Sequence, residues 1–381
     1  MRLSKFTWFL TALIAIIYTA TLIVIQIESP YHIQAESYRR WRETYIIKQS
    51  ANRAFVNTSN NRAKPVALSE GQGYGLYITA AAGQHGWAKS RDFDQLLNYY
   101  LAHRDYVGNH HQTPTYLMQW RQYQKNGHWA SDINSATDGD LFIAMALHQA
   151  ARVWPKRAGY YRNLERHLTN DILAYEYNPH TRSLTVGDWA TSKSKYYRLM
   201  RTSDVAPTFF DTFYQSSHDQ RWRIVKDGML DHLADLSAQH RTGLVPDFAW
   251  VTADSAKPVK SWTMASKNDG NYFANACRVP MMLANSKDPR AQKTLTRMMK
   301  FFSRRSYVSY VTAGYTLTGK KLNHHQSASF SAPIFLAVSR NRNHGYDNLF
   351  SSQKFIFSKP LPKDNYYDAT LTTIAAMEGM N

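Results

Sequence analysis

From position 141 onward, apolar residues fall at 143, 144, 147, 150, 151 and 154. That helical period predicts a helix buried on nearly all sides. It opens on Ala136-Thr137-Asp138-Gly139-Asp140, where Thr137 takes the N-cap place and Asp140 stands three residues on, the spacing of a capping box. A second helix start precedes it at Ser69-Glu70-Gly71-Gln72-Gly73-Tyr74-Gly75, with Ser69 and Gln72 at the same spacing and Glu70 in the first turn. Acidic residues in a first turn complement the helix dipole and need no further role. Three glycines, however, weaken a helix interior by about 1 kcal/mol each. Such a segment is expected where a backbone or a ligand must come close. Glu70 and Asp138 are therefore expected at neighbouring helix N-termini, facing one cleft.

The same reading along the chain predicts an amphipathic helix at 38–47 and helices at 92–103, 159–176, 205–217, 219–238, 276–286, 289–304, 328–339 and 367–378. Residues 50–67 and 106–114 read as polar loops. Only Ser183-Leu-Thr-Val186 and Tyr307-Val-Ser-Tyr-Val311 read as strands. Without a Pro/Gly/Ser linker or a repeat, residues 30–381 are expected to form one large all-α domain. Ahead of it, residues 6–27 carry no charge and follow Arg2 and Lys5. That length suits a membrane span of about 20 residues, with the N-terminus in the cytoplasm and the bulk outside. Residues 1–29 are thus expected to be a stub and anchor. The rival is a cleaved signal peptide, which would make the domain secreted, but Ile25-Gln-Ile-Glu-Ser-Pro30 is a poor cleavage site.

Composition narrows the partners. With 46 Lys+Arg against 28 Asp+Glu the net charge is +18, compatible with anionic polymers or membranes. No zinc-finger spacing, phosphate loop or RNA-binding signature is present, so nucleic acid is not expected. The single cysteine, Cys277, excludes an internal disulfide framework and lies in the apolar run 274–283, where it reads as a small buried hydrophobe. The adjacent pairs His110-His111 and His324-His325 cannot share a helical face, and no metal set emerges. Several aromatics fall in predicted loops near the acids: Trp120, Tyr123, Trp129, Trp250, Trp262 and Tyr272. Flat rings of this kind either pack in a core or stack on pyranose faces.

The segments at 69–75 and 136–154 resemble the two signature segments of glycoside hydrolase family 8. The resemblance extends through Arg201-Thr-Ser-Asp204, Asn268-Asp-Gly270, Asn275-Ala-Cys-Arg-Val-Pro280, Ala313-Gly-Tyr-Thr-Leu317 and Tyr366-Tyr-Asp368, over roughly residues 35–380. It implies an (α/α)6 barrel, a six-hairpin toroid, behind the N-terminal transmembrane helix. It also implies inverting endo-hydrolysis of a β-1,4-linked glucan, cellulose-like or mixed-linkage, by a cofactor-free monomer. Inversion requires a protonated carboxyl on the leaving oxygen and a base across the ring, about 6.5–9.5 Å away. By the resemblance Glu70 is the proton donor and Asp138 holds the sugar at the cleavage subsite. A carboxylate at 138 would also raise the pKa of Glu70, because double ionisation is costly. Trp120 is implied to stack on the substrate. Tyr74, Tyr272, Asn275 and Arg278 are expected on the substrate-binding side, with the forked donors of Arg278 fixing carboxylate geometry.

The base is where the chain departs from the commonest pattern. Many family members carry an aspartate at the place of Asn275, and a neutral amide cannot take a proton from water. The subgroup with asparagine resembles chitosanases and lichenases, which draw a glutamate from the loop upstream. Residues 252–271 contain no glutamate, only Asp254 and Asp269. The base stays open among Asp204, Asp269 and Asp254. Two alternatives follow: a chitosanase of the same family, or a glycan-binding or exopolysaccharide-assembly module that has lost its base.

Overall fold

The computed structural model of the protein describes residues 5–27, 29–61, 63–108, 112–308, 310–341 and 344–380. The His110-His111 pair lies outside these residues. In chain order the helices are α1 (Lys5–Ile27), α2 (Pro30–Tyr45), α3 (Ser69–Gln84), α4 (Ser90–Ala102), α5 (Thr137–Val153), α6 (Ala158–Tyr175), α7 (Pro207–Ser217), α8 (Arg221–Ala238), α9 (Val279–Leu283), α10 (Pro289–Val308), α11 (Ala328–Arg340), α12 (Asp347–Gln353) and α13 (Tyr366–Gly379). The odd-numbered helices from α3 to α13 form an inner ring, each packed on the next, and α13 closes on α3. The even-numbered helices wrap outside. The fold is an (α/α)6 barrel.

The alternation follows from sequence. α3, α5, α11 and α13 are buried along most of their length. α5 buries Leu141, Phe142, Ile143 and Leu147, each contributing about 1.5–3 kcal/mol by leaving water. The outer helices α4, α6 and α10 are amphipathic instead, with one apolar face turned inward. α1 stands apart from this core. It is long and apolar enough to cross a membrane, and none of its residues 5–22 is buried.

The two ends of the barrel differ. Among the described residues, twelve short strands lie in the connections that run from an outer helix to the next inner one: β1 (Ile46–Ser50), β2 (Arg53–Val56) and β3 (Val66–Leu68) before α3; β4 (Arg104–Val107), β5 (Thr113–Met118), β6 (Arg121–Lys125) and β7 (His128–Asp132) before α5; β8 (Tyr177–Asn178), β9 (Ser183–Leu184) and β10 (Leu199–Arg201) before α7; β11 (Phe248–Val251) and β12 (Ala256–Pro258) before α9. They pair antiparallel in small sheets, β3-β6-β7 and β10-β11-β12 among them. At the opposite end the inner helices pass to outer ones through short turns. The N-termini of the inner helices therefore gather at the elaborated end, and their C-termini form a plain base.

Several expectations are corrected. Residues 50–67 and 106–114 hold strands β2–β5 in part, because β2 pairs with β1 and β4 with β5 inside one connection, while β3 pairs with β6 of the next. Tyr307 and Val308 belong to the last turn of α10 rather than to a strand, because the amphipathic helix carries them on past Arg304. α12 was not predicted. Neither helix start is a capping box. Ser69 and Thr137 are the first helical residues, after N-caps Leu68 and Ala136. Gln72 accepts from Val56 N–H (3.1 Å) and donates to Leu96 C=O (2.8 Å), while Asp140 accepts from Met118 N–H (2.9 Å). These polar side chains point inward and tie the long connections to the barrel.

The glycines resolve as close packing. A Cβ on Gly73 would meet Gly139 O at 2.8 Å, and one on Gly139 would meet Ser69 Oγ at 2.5 Å. α3 and α5 can approach at their first turns only because both positions lack a side chain. Glu70 and Asp138 are brought together by this contact.

Candidate active site

Glu70 sits in the first turn of α3 and is half-buried. Trp120, 37% exposed, donates its indole N–H to Glu70 Oε1 (3.3 Å). The Trp120 backbone also joins the two helix starts. Its C=O accepts from Ser69 N–H (2.8 Å), and its N–H donates to Asn134 C=O (2.6 Å), just ahead of α5.

Asp138, 4% exposed, is gripped from two sides. Arg201 Nη1 lies 2.6 Å from its Oδ1 and 3.3 Å from Asp204 Oδ2. Arg278 donates from Nη1 to Asp138 Oδ2 (2.9 Å) and to Tyr74 Oη (2.6 Å), and from Nη2 to Ser203 Oγ (2.7 Å) and Asn275 Oδ1 (3.0 Å). The buried Arg201 thus bridges the carboxylates of Asp138 and Asp204, and the buried Arg278 grips Asp138 from its other side. Asp138 and Tyr74 stand in the first two turns of inner helices, Arg201 ends β10, and Ser203, Asp204 and Arg278 lie in the single helical turns before α7 and α9, the second of which Asn275 precedes.

Charge is distributed unevenly. Burial pushes Glu70 up to about 7, and the negative charge of Asp138 adds to the shift against the pull of Arg201 and Arg278. A helix N-terminus alone would favour the ionised form, and here desolvation wins. Burial also opposes ionisation of Asp138, yet the two arginines hold its pKa below the ordinary aspartate range. Asp204 rises to about 7, through burial first and then the charge of Asp138. The set therefore contains one firmly ionised carboxylate and two poised near neutrality.

The remaining predicted residues fall elsewhere. Tyr74 is 1% exposed and holds Arg278, so it positions the arginine from beneath and presents no face to a ligand. Tyr272 is fully buried against Phe302 and Phe330 and belongs to the core, because its bridge to Tyr315 draws it inside the barrel. Asp269 is 1% exposed and accepts from the N–H groups of Met264 (2.6 Å) and Ala265 (3.1 Å), shaping its own loop. Asp254 lies exposed in the turn between β11 and β12. Cys277 is a buried free thiol, pushed up to about 12 by burial.

Two residues outside the predicted set matter. Arg201 was read only as part of a matching segment, yet it links Asp138 to Asp204. Asp247, 2% exposed, accepts from the N–H groups of Phe273 (3.0 Å), Asn275 (3.1 Å) and Ala276 (2.7 Å). It anchors the turn that carries Asn275 and Arg278. Burial nevertheless raises it to about 7.

Behind the site lie four further carboxylates: Asp105, Asp140, Glu176 and Asp188. Ser135 Oγ donates to Glu176 (2.5 Å) and to Asp188 (3.2 Å). Burial, reinforced by their mutual repulsion, pushes Asp105 and Glu176 up to about 8 and Asp140 well above the ordinary range. Groups raised in the fold contribute stability that is complete below their unfolded pKa, near 4, and is lost as pH rises through about 8. Each such proton linkage has a slope of about 1.4 kcal/mol per pH unit. Thermal unfolding is expected to occur at progressively lower temperature from pH 5 to pH 9, and Asp105→Asn to flatten that decline. A melting temperature that rises over this range would exclude shared protons in the cluster.

Comparison with known proteins agrees with this architecture. A profile of the Glycosyl hydrolases family 8 matches residues 10–378. A β-glucanase of Niallia circulans is 30% identical over 304 residues, 77% of this chain and 71% of that protein. An endoglucanase of Bacillus sp. (strain KSM-330) is 24% identical over 363 residues, covering 86% and 75%. The apo structure of a β-1,3-1,4-glucanase from Paenibacillus sp. X4 superposes with a TM-score of 0.79 at 26% identity, over 91% of each chain. A ring of inner helices with paired acids at its mouth and a match over nearly the whole sequence lead to one assignment: the chain belongs to glycosyl hydrolases family 8.

Proposed function

We propose that the protein is an inverting endo-glucanase acting on a β-1,4-linked glucan, cellulose-like or mixed-linkage, with Glu70 as general acid. The observation that carries this reading is Glu70 itself. It is a half-exposed carboxyl raised to about 7 beside an exposed tryptophan, with an ionised aspartate close enough to hold its proton in place. Asp138 is assigned to the sugar at the cleavage subsite. Asp204 is assigned as base over Asp269 and Asp254, because its Oδ1 has no hydrogen-bond partner among the described residues and its pKa is also near 7. The mixed-linkage option draws support from the β-1,3-1,4-glucanase neighbour. α1 is assigned as a membrane anchor, with residues 30–381 as the catalytic domain outside the cytoplasm.

A second reading, a glycan-binding module without a base, is favoured by one fact: the Asp204 side chain is only 1% exposed. Incubation of the detergent-solubilised chain with lichenan, carboxymethylcellulose and chitosan separates the possibilities. New reducing ends from the first two, of α configuration by NMR, are expected. Release from chitosan alone would reassign the substrate, and binding without release from any polymer would favour the module. Asp204→Asn is expected to lower turnover by about 10²–10⁴-fold, the usual contribution of a positioned acid or base. Unchanged turnover would remove Asp204 from the role.

A further inference from the structure

We infer that the base of the barrel rests on an anionic lipid surface and that the substrate mouth opens away from the bilayer. The inference depends on the anchor assignment for α1 and adds an orientation and a partner surface to it. Only residues 28 and 29 separate α1 from α2, and the three peptide steps from Ile27 to Pro30 reach at most about 11 Å. The first turn of α2 must therefore lie at the membrane surface if α1 is in the membrane. That turn belongs to the base. Tyr31 packs edge-on against Trp87 (ring centroids 5.1 Å apart) and accepts from its indole N–H (3.2 Å), and Trp87 follows the C-terminus of α3. The far end of α2 lies with the mouth, where Tyr45 meets Tyr366 at the start of α13 (5.6 Å).

Two features of the base suit a bilayer. Tyr31, 61% exposed, and the half-buried Trp87, stacked on His85 (4.4 Å), form the kind of aromatic cluster that settles at headgroup level. The turns and helix ends around them carry exposed Lys89, Arg91, Arg152, Lys156 and Lys287, none of which forms an ion pair with a described residue. Most acids of this end are engaged instead: Asp92 with Arg42 (2.8 Å), Asp219 with Arg221 (2.6 Å) and Asp288 with Arg290 (2.8 Å), which leaves the exposed Asp347 against the five basic residues. Basic residues close to an anionic leaflet contribute about 1 kcal/mol each. Glu70 lies at the other end of α3, about 21 Å higher at 1.5 Å per residue. A polymer reaching this mouth has already cleared the membrane surface by the height of the barrel.

The test uses the full chain in nanodiscs of phosphatidylcholine with phosphatidylglycerol, with an acceptor dye on the lipid. Donor dyes are placed by Asn285→Cys at the base or Gln124→Cys at the mouth, since Cys277 is buried. Energy transfer from position 285 is expected to exceed that from position 124 about twofold or more, given the height of α3. The difference is expected to shrink in phosphatidylcholine alone, in high salt, and in the triple charge reversal Lys89→Glu, Arg91→Glu, Lys156→Glu. Equal transfer from both positions in anionic discs, by a chain that resists alkaline carbonate extraction, overturns the orientation while keeping the anchor. Release of the chain by carbonate overturns the anchor, and the orientation with it.

Discussion

Glu70→Gln is expected to abolish measurable hydrolysis of a β-glucan while leaving the fold and its unfolding temperature close to those of the parent. Glutamine keeps the volume and still offers an oxygen to the Trp120 indole, which lies 3.3 Å from Glu70 Oε1. What it lacks is a proton to give to the departing glycosidic oxygen, a contribution of about 10²–10⁴-fold. Folding is insulated for a second reason. A carboxyl raised to about 7 is half protonated at neutrality, so an uncharged amide costs the folded state little. Product analysis on lichenan at high enzyme concentration decides the matter. Parent-like turnover in the variant would remove Glu70 from the acid role. In the parent, the acid near 7 and the base near 7 are expected to give a narrow bell in kcat/KM centred close to neutrality, with apparent values belonging to the coupled set.

The acid pair was legible because each member is announced locally: an apolar helical period, an acid in its first turn, and a glycine where the two helices meet. The role of that glycine was half legible. Sequence permits either a ligand or a backbone beside Gly73, and only the position of Gly139 decides for the backbone. Arg201 and Asp247 were not legible as site residues. Arg201 acts on Asp138, and Asp247 acts on three backbone N–H groups more than twenty residues downstream. Nothing in their immediate neighbours encodes either partner. The short strands failed for the same reason. β10 is three residues long and exists because Met200 pairs with Ala249 across the intervening helices α7 and α8. Ser69, Gln72, Thr137 and Asp140 have cap spacing, but the side chains of Gln72, Thr137 and Asp140 serve tertiary contacts, which override local preference, and Ser69 Oγ donates to Glu70 Oε2 (3.3 Å).

Asp138→Asn is expected to do damage of a different kind, to stability as well as to rate. Asp138 is the shared partner of Arg201 (2.6 Å) and Arg278 (2.9 Å), both almost wholly enclosed. Removing one partner from a buried ion pair leaves charge uncompensated, at a cost of about 3–5 kcal/mol. Asp204, 3.3 Å from Arg201, remains to offset part of it. The electrostatic consequence is more specific. Asp138 raises the pKa of Glu70, whereas Arg201 and Arg278 lower it. With an amide at 138 burial still raises Glu70, but the charge that adds to it is gone while both arginines still lower it, so Glu70 ionises at lower pH and the alkaline limb of the rate profile moves toward acid. The same removal lowers Asp204, which Asp138 also raises, so the acid limb shifts in the same direction. A bell displaced bodily to lower pH, with a reduced maximum, distinguishes loss of this charge from simple misfolding. Guanidinium unfolding at two pH values and a kcat/KM profile on lichenan test both halves. A variant as stable as the parent with an unmoved bell would mean that Asp138 neither compensates the arginines nor holds the proton on Glu70.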